Sequence, residues 1–260
     1  MSDVVLVENV GATRIVTINR PEARNSLTRA VLRGVTQAVH RSSADASVRC
    51  VVLTGAQGHF CAGADLKQNI TDDPQMMEHM EEYIEEFHGL IRSLVRCEKP
   101  TIAMMDGAAV GFGADMAFAC DLRVATTRAY AQEKFVKIGL MPDGGGTFWL
   151  PRLVGTAKAM QMVLLAEKVD AAELGALGVV ARVVEPEALR TATMEIAKTI
   201  EGGPPLAHAA IKRAMYASWG SVEDALLRER TEQLKLLRSA DSMEGVMAWM
   251  QKREPSFQGK

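Results

Sequence analysis

Apolar residues along this chain recur at two different periods, and the change from one to the other marks out the elements. Residues 4–10 and 14–19 read as two strands joined at Gly11-Ala12, followed by a helix over residues 28–40. Cys50-Val51-Val52-Leu53-Thr54 and Thr101-Ile102-Ala103-Met104-Met105 are short, continuous β-branched or apolar runs, and read as strands. Between them Met76, Met80, Tyr83/Ile84, Phe87, Leu90/Ile91 and Leu94 repeat at helical spacing. Glu78, Glu81, Glu82, Glu85 and Glu86 fall between them, which describes an amphipathic helix with a solvated acidic face. Residues 122–125, 131–133 and 179–184 read as further short strands. From Pro186 the pattern is mostly helical, with Ser221 as an N-cap before Asp224 and an apolar stripe of Val222, Ala225, Leu226, Leu234 and Leu237. Gly202-Gly203-Pro204-Pro205 is the strongest break in composition and divides the chain into 1–200 and 201–260.

The strands at Cys50 and Thr101 each run into a turn of small residues that opens toward a helix-compatible stretch. The first turn is Gly58-His59-Phe60-Cys61-Ala62-Gly63-Ala64-Asp65-Leu66-Lys67, and the second is Gly107-Ala108-Ala109-Val110-Gly111-Phe112-Gly113-Ala114-Asp115. Glycine and alanine let backbone approach a ligand, and the first N–H groups of a helix have no internal partner. Two such donors aimed at one point make an oxyanion hole. Other glycine motifs do not fit: Gly111-Phe112-Gly113 followed by Met116 lacks the third glycine of a dinucleotide fingerprint. Gly144-Gly145-Gly146-Thr147 lacks the lysine of a phosphate loop and reads as a turn into a helix near Phe148.

These two turns resemble the two signatures of the enoyl-CoA hydratase/isomerase (crotonase) superfamily, the second extending to Asp121. The resemblance runs from Asn19-Arg20-Pro21 and Asn25-Ser26-Leu27 to Phe257. It implies an α/β fold, a spiral of repeated ββα units, with residues 1–200 holding a CoA-thioester site. Residues 201–260 would form a C-terminal helical oligomerisation module giving a homotrimer, or a hexamer as a dimer of trimers. By family position, the backbone N–H groups of Ala64 and Phe112 form the oxyanion hole for a thioester carbonyl. Phe112 stands where the family usually has glycine, so its bulk should narrow the acyl pocket. The resemblance also places Ala23 and Arg24 along the pantetheine and phosphate path, and Ala62, Asp65 and Leu66 at the adenine pocket. Phe257 and Lys260 would close the nucleotide end, from a neighbouring subunit if not from the same chain. Coenzyme A then enters as part of the substrate; no separate cofactor and no metal is implied.

Composition adds limits. The chain has 260 residues, 48% hydrophobic and 24% charged, ordinary for a globular enzyme with a sizeable core. A net charge of -2 gives no general attraction to nucleic acid or an anionic membrane, so charge for a phosphorylated ligand must be local, with Arg24 and Lys260 as candidates. Cys50, Cys61, Cys97 and Cys120 lie in apolar contexts without ligand spacing and read as buried reduced thiols. No leader and no apolar run of spanning length is legible, which points to the cytoplasm.

Chemistry turns on the acids. Family hydratases hold one water between two glutamates, whereas here Asp115 takes the first position and Phe135 the second, and Phe135 transfers no proton. Glu133, two residues away, is not placed in the site by the alignment to Gly139. Family members that shift double bonds often carry an aspartate at the position of Asp143, in Met141-Pro142-Asp143-Gly144, which makes Asp143 the leading proton shuttle. The other reading of Asp143 is a loop residue capping the amides of Gly144-Gly145-Gly146, and of Asp115 a first-turn helix acid facing the macrodipole. Asp121 reads as structural, paired with Arg123, and Asp65 as an anchor of the first turn; no histidine falls into a triad or ligand pattern. Around Phe135 and the ending from Lys252 to Phe257 the chain is similar to the phenylacetate-pathway and related enoyl-CoA isomerases. Three functions stay open: an isomerase working through Asp143 with Asp115 assisting, a 2-enoyl-CoA hydratase using both aspartates around a water, and a non-catalytic CoA-thioester-binding subunit.

Overall fold

In a computed structural model, which describes residues 3–217 and 222–260, the chain folds as β1 (Val5–Val10), β2 (Thr13–Ile18), α1 (Arg29–Ala44), β3 (Cys50–Gly55), α2 (Leu66–Asp72) and α3 (Met80–Arg96). There follow β4 (Thr101–Met105), β5 (Ala108–Val110), α4 (Phe112–Phe118), β6 (Leu122–Thr126), β7 (Tyr130–Gln132), a 3-10 turn (Phe135–Ile138) and α5 (Gly146–Leu165). The chain ends through β8 (Lys168–Asp170), α6 (Ala171–Ala176), β9 (Arg182–Val184), α7 (Leu189–Glu201), α8 (Pro205–Ala217), α9 (Val222–Leu236) and α10 (Ala240–Gln251). Ser221, expected to cap α9, lies outside the described residues.

A six-stranded sheet runs in the order β1-β2-β3-β4-β6-β9, and β5-β7-β8 form a second, smaller sheet. Apart from the β1–β2 hairpin the large sheet is parallel, and β3 and β4 pair in the register Val51↔Thr101 through Thr54↔Met104. Their continuous apolar runs follow from this: a central parallel strand is covered on both faces, so no position is left for a polar alternate. Two central strands of the large sheet step into the smaller sheet and on into a helix: β4 to β5 to α4, and β6 to β7 to α5. β3 does the same through a single parallel bridge, Cys61↔Ala109. This is the spiral of ββα turns that the resemblance implies.

Two expectations need correction. The amides of Val179 and Val180 both donate to Leu174 O, closing α6, so the strand expected over 179–184 begins only at Arg182. The Asp121 carboxylate does not pair with Arg123, which reaches only its backbone O. That carboxylate accepts from Thr101 N and Oγ1, Tyr216 Oη (2.6 Å) and Lys212 Nζ (2.8 Å), while Arg123 donates to the carbonyls of Ala117, Phe118, Cys120 and Val179 and so caps the end of α4. The apolar stripe of α9 is not covered by its own chain: Leu226 is 51% and Leu237 56% exposed, and Trp249 on α10 81%. All four cysteines are buried free thiols, and burial pushes Cys61 and Cys120 up to about 12. Among the described residues no helix is long and apolar enough to cross a membrane.

Candidate active site

β3 and β4 are neighbours in the sheet, so the turns that leave their C-terminal ends are neighbours too. The first turn is pinned on one side by Leu27, whose N–H donates to Gly63 O (2.8 Å) and whose O accepts from Asp65 N (2.9 Å). In that parallel pairing the N–H of Ala64 points away from Leu27. On the other side stands α4, whose first residue is Phe112, with an N–H that has no acceptor inside the helix. The two turns touch: a Cβ on Gly63 would lie 3.7 Å from Phe112 N, and one on Gly113 only 2.3 Å from Cys61 O. Glycine at 113 is what allows α4 to start this close to the first turn.

A cavity of about 270 Å³ opens over this junction. Ala62, Gly63, Ala64 and Leu66 of the first turn and Val110, Gly111 and Phe112 of the second line it, with Met80, Tyr83, Ile84 and Phe87 of α3 opposite. The Phe112 ring packs edge-on against Phe87 at 4.6 Å, and the Phe135 ring stands within 3.7 Å of where a Gly111 Cβ would be. Both aromatic rings therefore narrow the space beside the turns. Among the residues lining this cavity Asp143 is the one carboxylic acid.

Asp143 lies in the loop before α5. That helix is entered through Gly145 with no side-chain cap, so the Asp143 carboxyl does not cap it. Burial raises the Asp143 carboxyl above its ordinary range, and the charge of His88 on α3 opposes that rise. Asp115, on the inner face of α4, is fully buried, and its Oδ2 accepts from Gly144 N at 2.9 Å, so it holds the residue next to Asp143. Gly144 and Gly146 are packed so tightly on it that added Cβ atoms would sit 2.5 Å from its Cβ and 2.4 Å from its Oδ1. Oδ1 has no hydrogen-bond partner. Burial pushes Asp115 up to about 7; the Gly144 amide opposes this most, the Asp143 charge adds to it, and the Gly146 amide opposes it weakly without completing a hydrogen bond.

Sequence reasoning passed over two residues here. Glu133, just beyond β7, is 1% exposed, both its carboxyl oxygens lack a partner, and burial together with the charges of Asp115 and Asp143 raises it well above its ordinary value. His88 faces Asp143 from α3. The alternation along β7, with Ala131 buried, carried the signal that Glu133 also points inward.

The other candidates fall in two places. Ala62 N donates to Arg24 O (3.1 Å), which sets Ala23 and the exposed Arg24 beside the cavity wall. Asp65 caps α2 by accepting from Gln68 N and also binds Arg20 (2.9 Å) and Ser26 (3.0 Å), so its carboxylate is committed to anchoring the first turn. Phe257 and Lys260 are not brought to the site within one chain. Arg49, at the N-terminal end of β3, donates to Phe257 O, and Asp241 of α10 donates its N–H to Lys260 O, which holds both at the opposite end of the parallel strands. Among the described residues no group of three His, Cys, Asp or Glu side chains could hold a metal ion.

Residues 9–260 match the family described as enoyl-CoA hydratase/isomerase. The chain is 38% identical to the "Probable enoyl-CoA hydratase" of Rhodobacter capsulatus, covering 95% of this chain and 94% of that one. It is 35% identical to the 1,2-epoxyphenylacetyl-CoA isomerase of Escherichia coli, covering 94% of each. Its fold superimposes on the crystal structure of an enoyl-CoA hydratase from Polaromonas sp. JS666 with a TM-score of 0.92, at 31% identity over 97% of this chain and 99% of that one. With two strand-end turns meeting at one cavity and a match over nearly all its length, the chain belongs to the enoyl-CoA hydratase/isomerase family and is an enzyme of the crotonase superfamily.

Proposed function

We propose that the enzyme shifts a carbon–carbon double bond in an acyl-CoA thioester, with Asp143 as the single proton shuttle. The observation that carries this is the position of Asp143 as the one carboxylic acid among the cavity's lining residues, in a wall otherwise dominated by apolar side chains. The thioester carbonyl oxygen accepts from the N–H groups of Ala64 and Phe112, which makes the C2 protons of a 3-enoyl-CoA more acidic. The Asp143 carboxylate takes one C2 proton, and the dienolate charge rests on the oxygen between the two amides. The Asp143 acid, whose proton exchanges with solvent in part of the turnovers, then protonates C4, leaving the double bond between C2 and C3. Phe112 and Phe135 exclude the water that addition would need. Its raised affinity for protons suits Asp143 to this task.

The nucleotide part of the substrate runs past Ala62 and Leu66 toward Ala23 and Arg24, where Arg24 supplies the local positive charge. Phe257 and Lys260 would reach a nucleotide only from a neighbouring subunit. The uncovered apolar faces of α9 and α10 favour a homotrimer or a hexamer, with residues 201–260 as the assembling part.

A second reading, hydration, is favoured by one observation: Asp115 Oδ2 holds the Gly144 amide at 2.9 Å, beside Asp143, and the Asp143 charge helps to raise Asp115, as between two acids sharing a water. The two readings separate in deuterated water. Conversion of 3-enoyl-CoA to a 2-enoyl-CoA that has gained deuterium but no water is the expected result, and a gain of one water on 2-enoyl-CoA without migration would refute the isomerase. Asp143→Asn should abolish migration while leaving CoA-ester binding intact; retained turnover would remove Asp143 from the role.

A further inference from the structure

Glu133 has no part in the reaction just described, yet its setting is an expensive one. A buried carboxyl group with neither oxygen paired costs stability, and a protein sheds such a group easily by substitution. Gln132 O accepts from Gly111 N (2.8 Å) and Gly111 O from Asp115 N (3.1 Å), so Glu133 follows β7 beside the first turn of α4, which carries Asp115; Asp115 Oδ1 also lacks a partner, and its Oδ2 grips the Gly144 amide. The two groups lack complementary things. A carboxylate oxygen needs a donor, and a protonated carboxyl has one to give.

We propose that Glu133 is a positioning residue that stays protonated and supplies the missing donor to Asp115, directly or through a water, so that Asp115 holds Gly144 and thereby fixes the neighbouring Asp143. The chain of contacts runs from the end of β7 through α4 to the loop before α5, and only its last member meets the substrate. Burial and the charges of Asp115 and Asp143 both keep the proton on Glu133. Above pH 7 the consequence is division of labour among three acids: Glu133 neutral, Asp115 an anchoring anion, and Asp143 the group that moves protons.

This inference rests on the Asp143 reading for its outcome but is tested at an earlier step, exchange of the C2 protons of a 3-enoyl-CoA for deuterium, followed beside double-bond migration. Glu133→Met replaces the acid by an apolar side chain of similar size. Because Asp115 Oδ1 then loses its donor, we expect the melting temperature to fall by at least about 2 °C. Its kcat for exchange should fall by at least about tenfold, since a loosened Asp143 is misplaced, with KM within about twofold. Glu133→Gln keeps a donor that cannot ionise and should restore most of the lost kcat. Glu133→Leu replaces the Met variant where that does not fold. An apolar variant with unchanged kcat, a loss carried by KM alone, or a Gln variant as impaired as the apolar one would each overturn the proposal. If the wild type exchanges C2 protons without moving the double bond, the isomerase reading fails while Glu133 is still judged by exchange.

Discussion

Asp115 ties the stability of the whole fold to pH, and the sign is opposite to that of a surface carboxylate. Its carboxyl is raised by burial from the ordinary 3.8 to about 7. Below pH 4 the native and unfolded chains both carry the neutral acid, so its contribution is fully present. As pH rises from 4 toward 7 the unfolded chain ionises first and the native chain holds its proton, so stability is lost across that window and levels off above it. The span between 3.8 and 7 corresponds to about 4 kcal/mol. Asp115→Asn removes the titration while keeping the side chain's size. Urea unfolding followed by tryptophan fluorescence, at fixed protein concentration and at pH 4, 5.5, 7 and 8.5, should show the wild type losing about 4 kcal/mol relative to the variant between the extremes. The buried His208, whose imidazole is lowered by burial, acts in the other direction in both proteins and cancels in the difference. A wild-type-minus-variant difference that stays flat, or that rises with pH, would refute the reasoning.

Phe112→Ala should enlarge the cavity, destabilise the fold by about 3–5 kcal/mol, and shift preference toward bulkier acyl groups in competition assays with paired CoA esters; an unchanged preference would remove Phe112 from the pocket wall. Gly113→Ala forces a methyl to within 2.3 Å of Cys61 O, so α4 must back away from the first turn; a cost of about 1–3 kcal/mol and a large drop in kcat are expected, and wild-type turnover would contradict the convergence of the two amides. Lys212→Met strands the Asp121 carboxylate against Thr101 and Tyr216 and should cost about 3–5 kcal/mol in denaturant unfolding with KM for the thioester unchanged.

What the sequence disclosed was set by how local the signal was. β3 and β4 were legible because a strand covered on both faces admits almost only apolar residues, and the turns after them because glycine clusters there. β8 is three residues long, with Lys168 and Asp170 exposed around Val169, and leaves no periodic trace. The Asp121–Lys212 pair joins residues 91 apart and is a property of packing, which no spacing encodes. The acids divide the same way. Asp115 and Asp143 stand at motif positions, whereas Glu133 stands two residues from one, and its importance lies in burial without a partner, which only the folded arrangement reveals. Asp65 was read correctly as an anchor, because a residue before a helix start with a free carboxylate has few other uses.

The pairing of β3 with β4 sets a rule for where this chain can change length. Both turns are measured from one hydrogen-bonded ladder, so the proposed oxyanion pair, the amides of Ala64 and Phe112, can form only if the residues counted from each strand end stay fixed. One inserted residue between Gly55 and Ala64, or between Met105 and Phe112, displaces an amide by about 3.3 Å, more than an oxyanion contact tolerates. Beyond α2 no such count applies, and the connection through residues 73–79 leads only to the helix roofing the cavity. Additions there would resize the acyl chamber and leave the amides where they are. Diversification of substrate by insertion is thereby channelled into the roof, and the floor can evolve by substitution alone.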